Sequence, residues 1–439
     1  MARALVFFCA LAFVTGPLAA QPSLHSQIDS LFTPWNTAQT PGVAVTILRG
    51  GDSAYSRGYG IANLEYDIPI TPETVFLVAS LSKQFTAFAI ALLATEGALS
   101  LEDPVRNYVP ELPDYGETIT IRHLIHHTSG LRDEFGLLAM AGYRMDDVIT
   151  KEAVLQLLYR QQALNFDPGD AYLYCNSGYT LLAEIVERVT GQNFATWTKE
   201  HIFVPLGMHD SHFRSNHASI IKGRAEGYVT TENGYDRQVV NYASVGASGL
   251  YTTANDLARW VQNFDERVVG TEGAIDLMHE RGRLSSGDTL DYAFGLSIGT
   301  YKGTRRISHS GSHRGFRTHM MRLPDADLAV VVLSNLEEFD PTAMAQQVAD
   351  LFLARDLSEY AGTFYSEELA TTFHIVYTNG HLVARHRRYD DIPLTASGTD
   401  TFTGDSWFFA TLTFLRQNGG ITGFEASNRR TRKVRFEKR

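Results

Sequence analysis

The sequence predicts an α+β domain followed by a small all-β domain. The first is expected to hold an antiparallel sheet flanked by helices, with an inserted helical subdomain, and the second to be barrel-like. Strand-like segments lie near both ends of residues 21–355, with a mostly helical block between them, so one sheet is expected to join the two ends. Over residues 356–439 the helical period is absent, and short strands alternate with turn residues.

Residues 1–20 have the pattern of a secretory signal peptide. Arg3 gives a positive start, the apolar run of residues 4–14 is too short to span a bilayer, and small residues precede Gln21. We therefore expect a periplasmic or secreted protein; the alternative is a buried N-terminal helix. Since no later run reaches the roughly 18 apolar residues of a membrane span, we expect no stable membrane insertion after cleavage.

The composition is globular with an acidic balance. The chain has 439 residues, 44% of them hydrophobic and 20% charged, and a formal net charge of -11. This charge argues against a nucleic-acid partner. Residues 429–439 are locally basic, and we interpret them as a solvated strand and tail in preference to a lipid- or polyanion-binding patch.

The first domain begins with a helix-like segment and two strands, which lead to a helix over residues 80–96. That helix is apolar on nearly every face, which predicts deep burial. The expected strands are residues 43–48, 53–60, 292–301, 305–308, 317–323 and 328–333, and the other expected helices are 24–32, 154–158, 179–189, 256–263 and 343–354. In the last domain we expect strands at 373–377, 381–384, 407–415, 423–424 and 434–436, the first two joined by a hairpin turn.

Ser80 and Lys83 lie at the start of the most buried helix. Residues three positions apart share a helix face, so the Lys83 amine can reach the Ser80 hydroxyl. A lysine desolvated against an apolar helix loses proton affinity, and its neutral amine can accept the serine proton. The alternative is an ordinary helix cap with a surface lysine, but an apolar helix has little reason to hold a lysine in its first turn.

Two further segments carry candidate functional groups. Tyr174 and Asn176 lie two apart, so they face the same side of an extended backbone, where a phenol can shuttle a proton and an amide can orient a carbonyl. The alternative is a helix cap and a core tyrosine. Residues 308–316 follow a strand, and the small residues after His309 let the backbone approach a ligand and offer an N–H to an oxyanion; the alternative is a plain glycine-containing turn.

In this order the three segments resemble the motifs of the serine β-lactamases, the penicillin-binding proteins and their esterase and D-aminopeptidase relatives. Ser80 and Lys83 match Ser-x-x-Lys, and Tyr174 and Asn176 match the Tyr-x-Asn of the class C-like branch. Residues 309–311, His-Ser-Gly, stand where Lys-Thr-Gly is usual. Flanking residues 41–45, 59–63, 124–131 and 246–250 also resemble that branch. The resemblance covers about residues 41–333 and implies a β-lactamase/transpeptidase-like fold.

The resemblance implies an acyl-enzyme mechanism without metal or organic cofactor. Ser80 attacks a carbonyl and becomes an ester, while Lys83 and Tyr174 move the proton out and back. Backbone N–H groups of Ser80 and Ser312 form the oxyanion hole. The implied substrate-binding residues are Asn176, His309, Gly311 and Ser312. The expected partner is a small-molecule or short-peptide substrate, and oligomerisation stays open.

The histidine of the third motif bears on the substrate. The lysine usual there helps bind the carboxylate of penicillins and of peptide C-termini, whereas a histidine with the ordinary pKa of about 6.5 is mostly neutral at pH 7. This favours action on a small ester, amide or D-amino-acid-containing peptide over β-lactamase or DD-carboxypeptidase activity. Arg314 or Arg317 can still supply a charge, so those activities stay open, as does a non-catalytic sensor that is acylated and stays acylated.

Metal and thiol chemistry are not expected. His123, His126 and His127 cluster on a possible helix, but no carboxylate ligand stands at an obvious spacing, and the resemblance makes this segment structural. Cys9 lies in the predicted signal peptide, so Cys175 is left without a disulfide partner and is expected to be buried and inert.

The last domain, from about Tyr360, resembles the lipocalin-like β-domains appended to some of these hydrolases. Such domains often shape the cleft or mediate assembly, which we hypothesise here. Unchanged substrate preference and oligomeric state after deletion of residues 358–439 would sink that hypothesis.

Overall fold

A computed structural model describes residues 23–353, 357–378, 381–398, 400–417 and 420–439. The predicted signal peptide, residues 1–20, lies outside the described residues. So do residues 354–356, which contain the predicted domain boundary, and the two turn residues of the predicted hairpin, 379–380. Within the described residues, no helix is long and apolar enough to cross a bilayer.

One antiparallel sheet joins the two ends of the first domain, as the sequence predicts. Its strand order is β10-β11-β12-β13-β1-β2. The strands of this domain are β1 (Val43–Arg49), β2 (Asp52–Tyr59), β3 (Ile61–Asn63), β4 (Ile68–Pro69), β5 (Phe76–Leu77), β6 (His212–Phe213), β7 (Gly227–Thr231), β8 (Gly234–Gln238), β9 (Leu250–Thr252), β10 (Ser297–Tyr301), β11 (Thr304–His313), β12 (Phe316–Leu323) and β13 (Leu328–Ser334).

Helices cover both faces of the sheet and form the inserted block. They are α1 (Leu24–Phe32), α2 (Ser82–Thr95), α3 (Ile121–Ile125), α4 (Glu134–Met140), α5 (Lys151–Leu158), α6 (Asn176–Thr190), α7 (Phe194–Thr198), α8 (Ala254–Glu266), α9 (Glu272–Met278) and α10 (Pro341–Leu353). Because side chains alternate along a strand, Val330 and Val332 of β13 enter the core beneath α1 and α10, while Val331 and Leu333 enter the larger core around α2. This explains why every residue of β13 is buried.

Several boundaries differ from the sequence predictions, among them the starts of three elements. The predicted helix over residues 80–96 begins as a 3₁₀ turn, Ala79–Leu81, before α2. Helix α6 begins at Asn176, three residues before its predicted start at Tyr179. The predicted strand over residues 292–301 is regular only from Ser297, and the segment before it is an irregular loop beside β11.

The last domain is a closed eight-stranded antiparallel barrel, which confirms the predicted all-β class. Its strands are β14 (Gly362–Ser366), β15 (Thr371–Thr378), β16 (His381–His386), β17 (Tyr389–Gly398), β18 (Thr401–Gly404), β19 (Thr411–Gln417), β20 (Gly420–Ser427) and β21 (Val434–Lys438). Strand β21 pairs with β14 and closes the barrel. The strands β14, β17 and β18 were not predicted, and the strand predicted from Trp407 begins too early, because Trp407 lies in the turn before β19.

Candidate active site

The 3₁₀ turn Ala79–Leu81 presents Ser80 at the edge of the helical block. Ala79 has a φ of 50°, a left-handed conformation that costs an alanine about 1 kcal/mol or more. The surrounding structure holds the turn in place, because Val78 donates its N–H to the Leu250 carbonyl and its own carbonyl accepts from the Thr318 hydroxyl. Ser80 thus precedes α2 by a turn, on the side that faces the sheet.

Lys83 is fully buried beneath Ser80. Its Nζ donates to the Ser80 Oγ at 3.2 Å, to the Asn176 Oδ1 at 2.8 Å and to the Ala247 carbonyl at 2.8 Å. Burial lowers the pKa of Lys83 to about 7, against the opposing charges of Glu134 and Asp133. A substantial fraction of this amine is therefore neutral near pH 7 and able to accept a proton.

We expect the acylation rate to follow the protonation of Lys83. Only the neutral amine accepts a proton, and the pKa of Lys83 is about 7, so kcat/KM should level off above pH 7 and fall about tenfold per pH unit below it. The profile is measured with the uncharged ester p-nitrophenyl butyrate, which does not itself titrate. A rate that is flat between about pH 5 and pH 8 would contradict this role for the lysine.

Asn176 is the first residue of α6 and does not cap it, and the N-cap residue, Cys175, makes no side-chain capping bond. The Asn176 Nδ2 and backbone N–H both donate to the Asp133 Oδ2, at 2.8 and 2.7 Å. These bonds turn the amide oxygen of Asn176 toward Lys83. Sequence reasoning missed Asp133, although an aspartate directly before an apolar helical segment, here α4, is a recognisable N-cap signal.

Tyr174 is the second group at the serine. Its phenol lines the same cavity as Ser80, which acts on its pKa, and its ring centroid lies 4.9 Å from the Lys83 Nζ. Burial raises the pKa of Tyr174 above its ordinary value, so the resting phenol keeps its proton. The His127 ring packs against it, with 4.2 Å between centroids. A neutral amine and a protonated phenol thus lie beside Ser80, the first suited to accept a proton and the second to donate one.

His309 faces the cavity from β11 in a neutral form. Its Nδ1 lies 2.7 Å from the Ser310 carbonyl oxygen, which only accepts, so Nδ1 carries the proton. Its Nε2 then accepts from the Tyr292 hydroxyl at 3.1 Å. Burial, followed by the charge of Lys83, lowers the pKa of His309 to about 3. The side chain thus carries no positive charge at neutral pH.

Gly311 lets β11 pass directly over the turn that holds Ser80. A Cβ at this position would overlap the Val78 carbonyl oxygen and the Thr318 hydroxyl. The register pairs His313 with Phe316 across a two-residue turn and Ser312 with Arg317. Because hydrogen-bonded and non-bonded pairs alternate in antiparallel strands, the Ser312 N–H points away from β12, toward the strand edge beside Ser80. It is placed to serve an oxyanion.

We expect Gly311→Ala to lower the free energy of unfolding by about 1–3 kcal/mol and to reduce kcat strongly, because the added methyl group pushes β11 away from Ser80. Denaturant unfolding and steady-state kinetics measure the two effects. Gly273→Ala is the matched control: its Cβ would meet the Thr95 methyl group at an ordinary 3.7 Å. Equal behaviour of the two variants would show that the approach of β11 is unimportant.

An open cavity of about 370 Å³ joins these groups. It is lined by Ser80, Tyr172, Tyr174, Tyr292, Ser297, His309, Ser310, Gly311 and Ser312. Five of the seven residues singled out from the sequence therefore line one cavity, and Lys83 and Asn176 lie directly behind Ser80. Sequence reasoning missed Tyr172, Tyr292 and Ser297 as lining residues, because their proximity to Ser80 depends on the tertiary fold.

The histidine segment makes structural hydrogen bonds. The His123 Nδ1 accepts from the Thr120 N–H in a capping box, and the His127 Nδ1 accepts from the Cys175 N–H. Burial raises the pKa of the Cys175 thiol to about 12, and its Sγ lies 3.3 Å from the Leu131 carbonyl oxygen. Across the described part of the chain, no group of three or more histidine, cysteine or acidic side chains is placed to hold a metal ion.

Comparison with known proteins places this geometry in a family context. A family model described as Beta-lactamase matches residues 28–353. Penicillin-binding protein 4* of Bacillus subtilis (strain 168) is 32% identical over 310 residues, which are 67% of this chain and 68% of that protein. A D-aminopeptidase of Gluconobacter oxydans (strain 621H) is 29% identical over 313 residues, 70% of this chain, and this match spans only 58% of the D-aminopeptidase.

Among solved structures, the octameric penicillin-binding protein homologue from Pyrococcus abyssi has a TM-score of 0.65 at 26% identity. The likeness covers 94% of this chain and 99% of that chain, so it extends beyond the first domain into the barrel.

Proposed function

Because the chain belongs to the β-lactamase family, we propose that it is a serine hydrolase that works through an acyl-enzyme on Ser80. The observation that carries the proposal is the buried Lys83 amine, 3.2 Å from the Ser80 Oγ, with a pKa lowered to about 7. A buried amine poised to lose its proton beside a hydroxyl is the arrangement that activates a serine nucleophile.

In the proposed acylation step, the proton of Ser80 is transferred to the leaving group. The neutral Lys83 amine takes the Ser80 proton as Oγ attacks the substrate carbonyl, and the carbonyl oxygen becomes an oxyanion. The backbone N–H groups of Ser80 and Ser312 stabilise that negative charge. The proton then passes from Lys83, with Tyr174 as relay, to the leaving alcohol or amine, which departs as the acyl-enzyme forms.

Deacylation repeats these roles with water as the nucleophile. Lys83 and Tyr174 take the water proton and return it to the Ser80 Oγ when the ester breaks, which releases a carboxylic acid. Asn176 keeps the Lys83 amine in place through the bonds from Asp133. No step of this proposal calls for a metal or an organic cofactor.

For the substrate, we favour a small ester, amide or D-amino-acid-containing peptide over a β-lactam or a peptide with a free C-terminal carboxylate. His309 is neutral, and Arg317 is engaged by Glu337 at 3.1 Å, so neither is available to bind a carboxylate. The residues that line the cavity carry no charged side chain. The matched D-aminopeptidases support this choice.

A substrate panel tests the choice. We expect hydrolysis of p-nitrophenyl butyrate and of D-alanine p-nitroanilide, and at least about tenfold lower kcat/KM for a peptide ending in D-alanyl-D-alanine, because no charged side chain lines the cavity to compensate its carboxylate. The His309→Lys variant should reduce this difference in kcat/KM between the substrates. Faster cleavage of the carboxylate-ended peptide by the unaltered protein would contradict the substrate assignment and leave the Ser80 mechanism standing.

Export is a separate part of the proposal, supported by the pattern of residues 1–20. Recovery of a periplasmic or secreted form whose N-terminus lies near Gln21 would support it, whereas an uncleaved intracellular chain would contradict it.

Self-assembly is suggested by the octameric homologue, and the mass of the purified protein in solution tests it.

A further inference from the structure

The two ends of the barrel differ. In an up-and-down barrel, alternate turns lie at the same end. The end where the chain enters is plugged by the 3₁₀ segment Leu357–Tyr360: the buried Tyr360 ring packs on Phe402 and Phe414, and its hydroxyl donates to Asp400 at 2.6 Å. We call the opposite end the open end; it comprises residues 367–370, 387–388, 405–410 and 428–433.

A cavity of about 370 Å³ occupies the open end, within the size range of small-molecule sites. The buried rings of Phe373, Phe409 and Phe436 form its floor. Its wall includes Tyr389, whose ring packs at a tilt against Phe408 with 4.8 Å between centroids. Trp407 also lines the cavity, although 85% of its surface is exposed. An exposed indole beside an apolar floor is typical of a binding surface.

Cations surround this cavity. The turns of the open end carry six exposed basic residues: Arg387, Arg388, Arg429, Arg430, Arg432 and Lys433. None of the six forms an ion pair within the described residues, whereas Arg385, Arg435 and Arg439 of the same domain are paired with acids. The turns also hold three acids, Glu367, Glu368 and Asp405, of which Glu367 is paired with Arg439. The open end is therefore positive in a chain whose net charge is -11.

The positive charge of the open end acts on a side chain that lines the cavity. His386 lines the cavity, and burial and then the charges of Arg387 and Arg388 hold its pKa below the ordinary value. Arg388 is the cation that itself lines the cavity, next to the polar side chains of Asn428 and Thr431. An apolar floor with cationic and polar groups at its rim complements a molecule that has an apolar body and an anionic head.

We propose that the open end of the barrel binds a small amphipathic anion, with its apolar body against Phe409 and its carboxylate or similar head beside Arg388. The cavity is concave and reaches the buried phenylalanine floor, which favours a single molecule over a flat bilayer surface. The site is separate from Ser80 and does not depend on the proposed hydrolase activity.

Calorimetric titration of the purified full chain with decanoate, below its micelle-forming concentration, tests the site. Decanoate should bind, and decyltrimethylammonium, with the same chain and the opposite charge, should bind at least about tenfold more weakly. Arg388→Gln and Trp407→Ala should each weaken decanoate binding about tenfold. Arg385→Gln, which removes a cation paired with Asp391, is the matched control and should leave binding unchanged.

Several results would overturn the proposal: no decanoate binding, equal binding of the two surfactants, or equal binding by Arg388→Gln and Arg385→Gln. Attachment to vesicles of anionic phospholipid without decanoate binding would also overturn it, in favour of a membrane-surface role. Thermal unfolding of each variant checks that the barrel is folded, and p-nitrophenyl butyrate hydrolysis should stay unchanged throughout.

Discussion

Replacing Lys83 with arginine is expected to lower kcat/KM for p-nitrophenyl butyrate about a thousandfold, as much as replacing it with methionine. A guanidinium keeps its proton at any working pH, so it preserves the charge but cannot act as a base. General-base catalysis typically contributes a factor of about 10² to 10⁴. The two variants together therefore separate proton acceptance from simple electrostatic stabilisation, which arginine would still supply.

Folding must be checked in both Lys83 variants. The amine donates hydrogen bonds to the Asn176 Oδ1 and the Ala247 carbonyl oxygen. Loss of the partner of a buried polar group lowers the free energy of unfolding by about 1–3 kcal/mol. We expect each variant to unfold at a lower denaturant concentration but to be folded at room temperature. A folded Lys83→Arg protein with more than about a tenth of the original activity would show that the lysine is not the base.

Tyr174→Phe is expected to lower kcat about a hundredfold, because it removes the hydroxyl proposed to relay the proton in the cavity that holds Ser80, while the ring and its packing on His127 stay. KM should change little, since the phenol is proposed to take part in proton transfer and not in substrate binding. Steady-state and single-turnover kinetics measure the two constants.

Tyr172→Phe is the matched control for this loss. Tyr172 lines the same cavity but is 40% exposed, and no hydrogen bond joins its hydroxyl to Ser80 within the described residues. Its rate should change by less than about threefold. Similar losses in the two variants would mean that cavity shape, and not proton relay, explains the effect of Tyr174.

Much of this architecture can be predicted because local patterns and tertiary structure agree. Lys83 in an otherwise apolar helix signals a functional amine. Burial of a lysine costs free energy, so a lysine on a buried helix is expected to be paired or to have a function. The β-rich run of β13, apolar at consecutive positions, predicts a strand covered on both faces. The barrel strands β15 and β19 alternate buried and exposed residues, which is visible in sequence.

The remaining features depend on contacts between distant segments. Asp133 orients Asn176 from 43 residues away, and Tyr292 hydrogen-bonds the Nε2 of His309 from 17 residues away. Helix α6 starts at Asn176, although Ser177 and Gly178 are weak helix formers, because Asp133 binds its first N–H.

Strand β17 was missed for a related reason. It contains Asp390, Asp391 and Pro393, which disfavour strands, and yet it pairs with β16 on one side and β18 on the other. The apolar run from Trp407 to Phe409 predicts a strand, yet it forms the turn that covers part of the open end of the barrel.

The central claim is that Ser80 forms an ester with the substrate acyl group, and intact-mass spectrometry tests it most directly. The purified protein, its Ser80→Ala variant and the exposed-serine control Ser286→Ala are each incubated with p-nitrophenyl butyrate and with a fluorescent penicillin. We predict an acyl adduct and ester turnover in the unaltered and control proteins, and neither in Ser80→Ala. An adduct that persists without turnover would favour the sensor. Turnover or an adduct of equal size in Ser80→Ala would contradict the account.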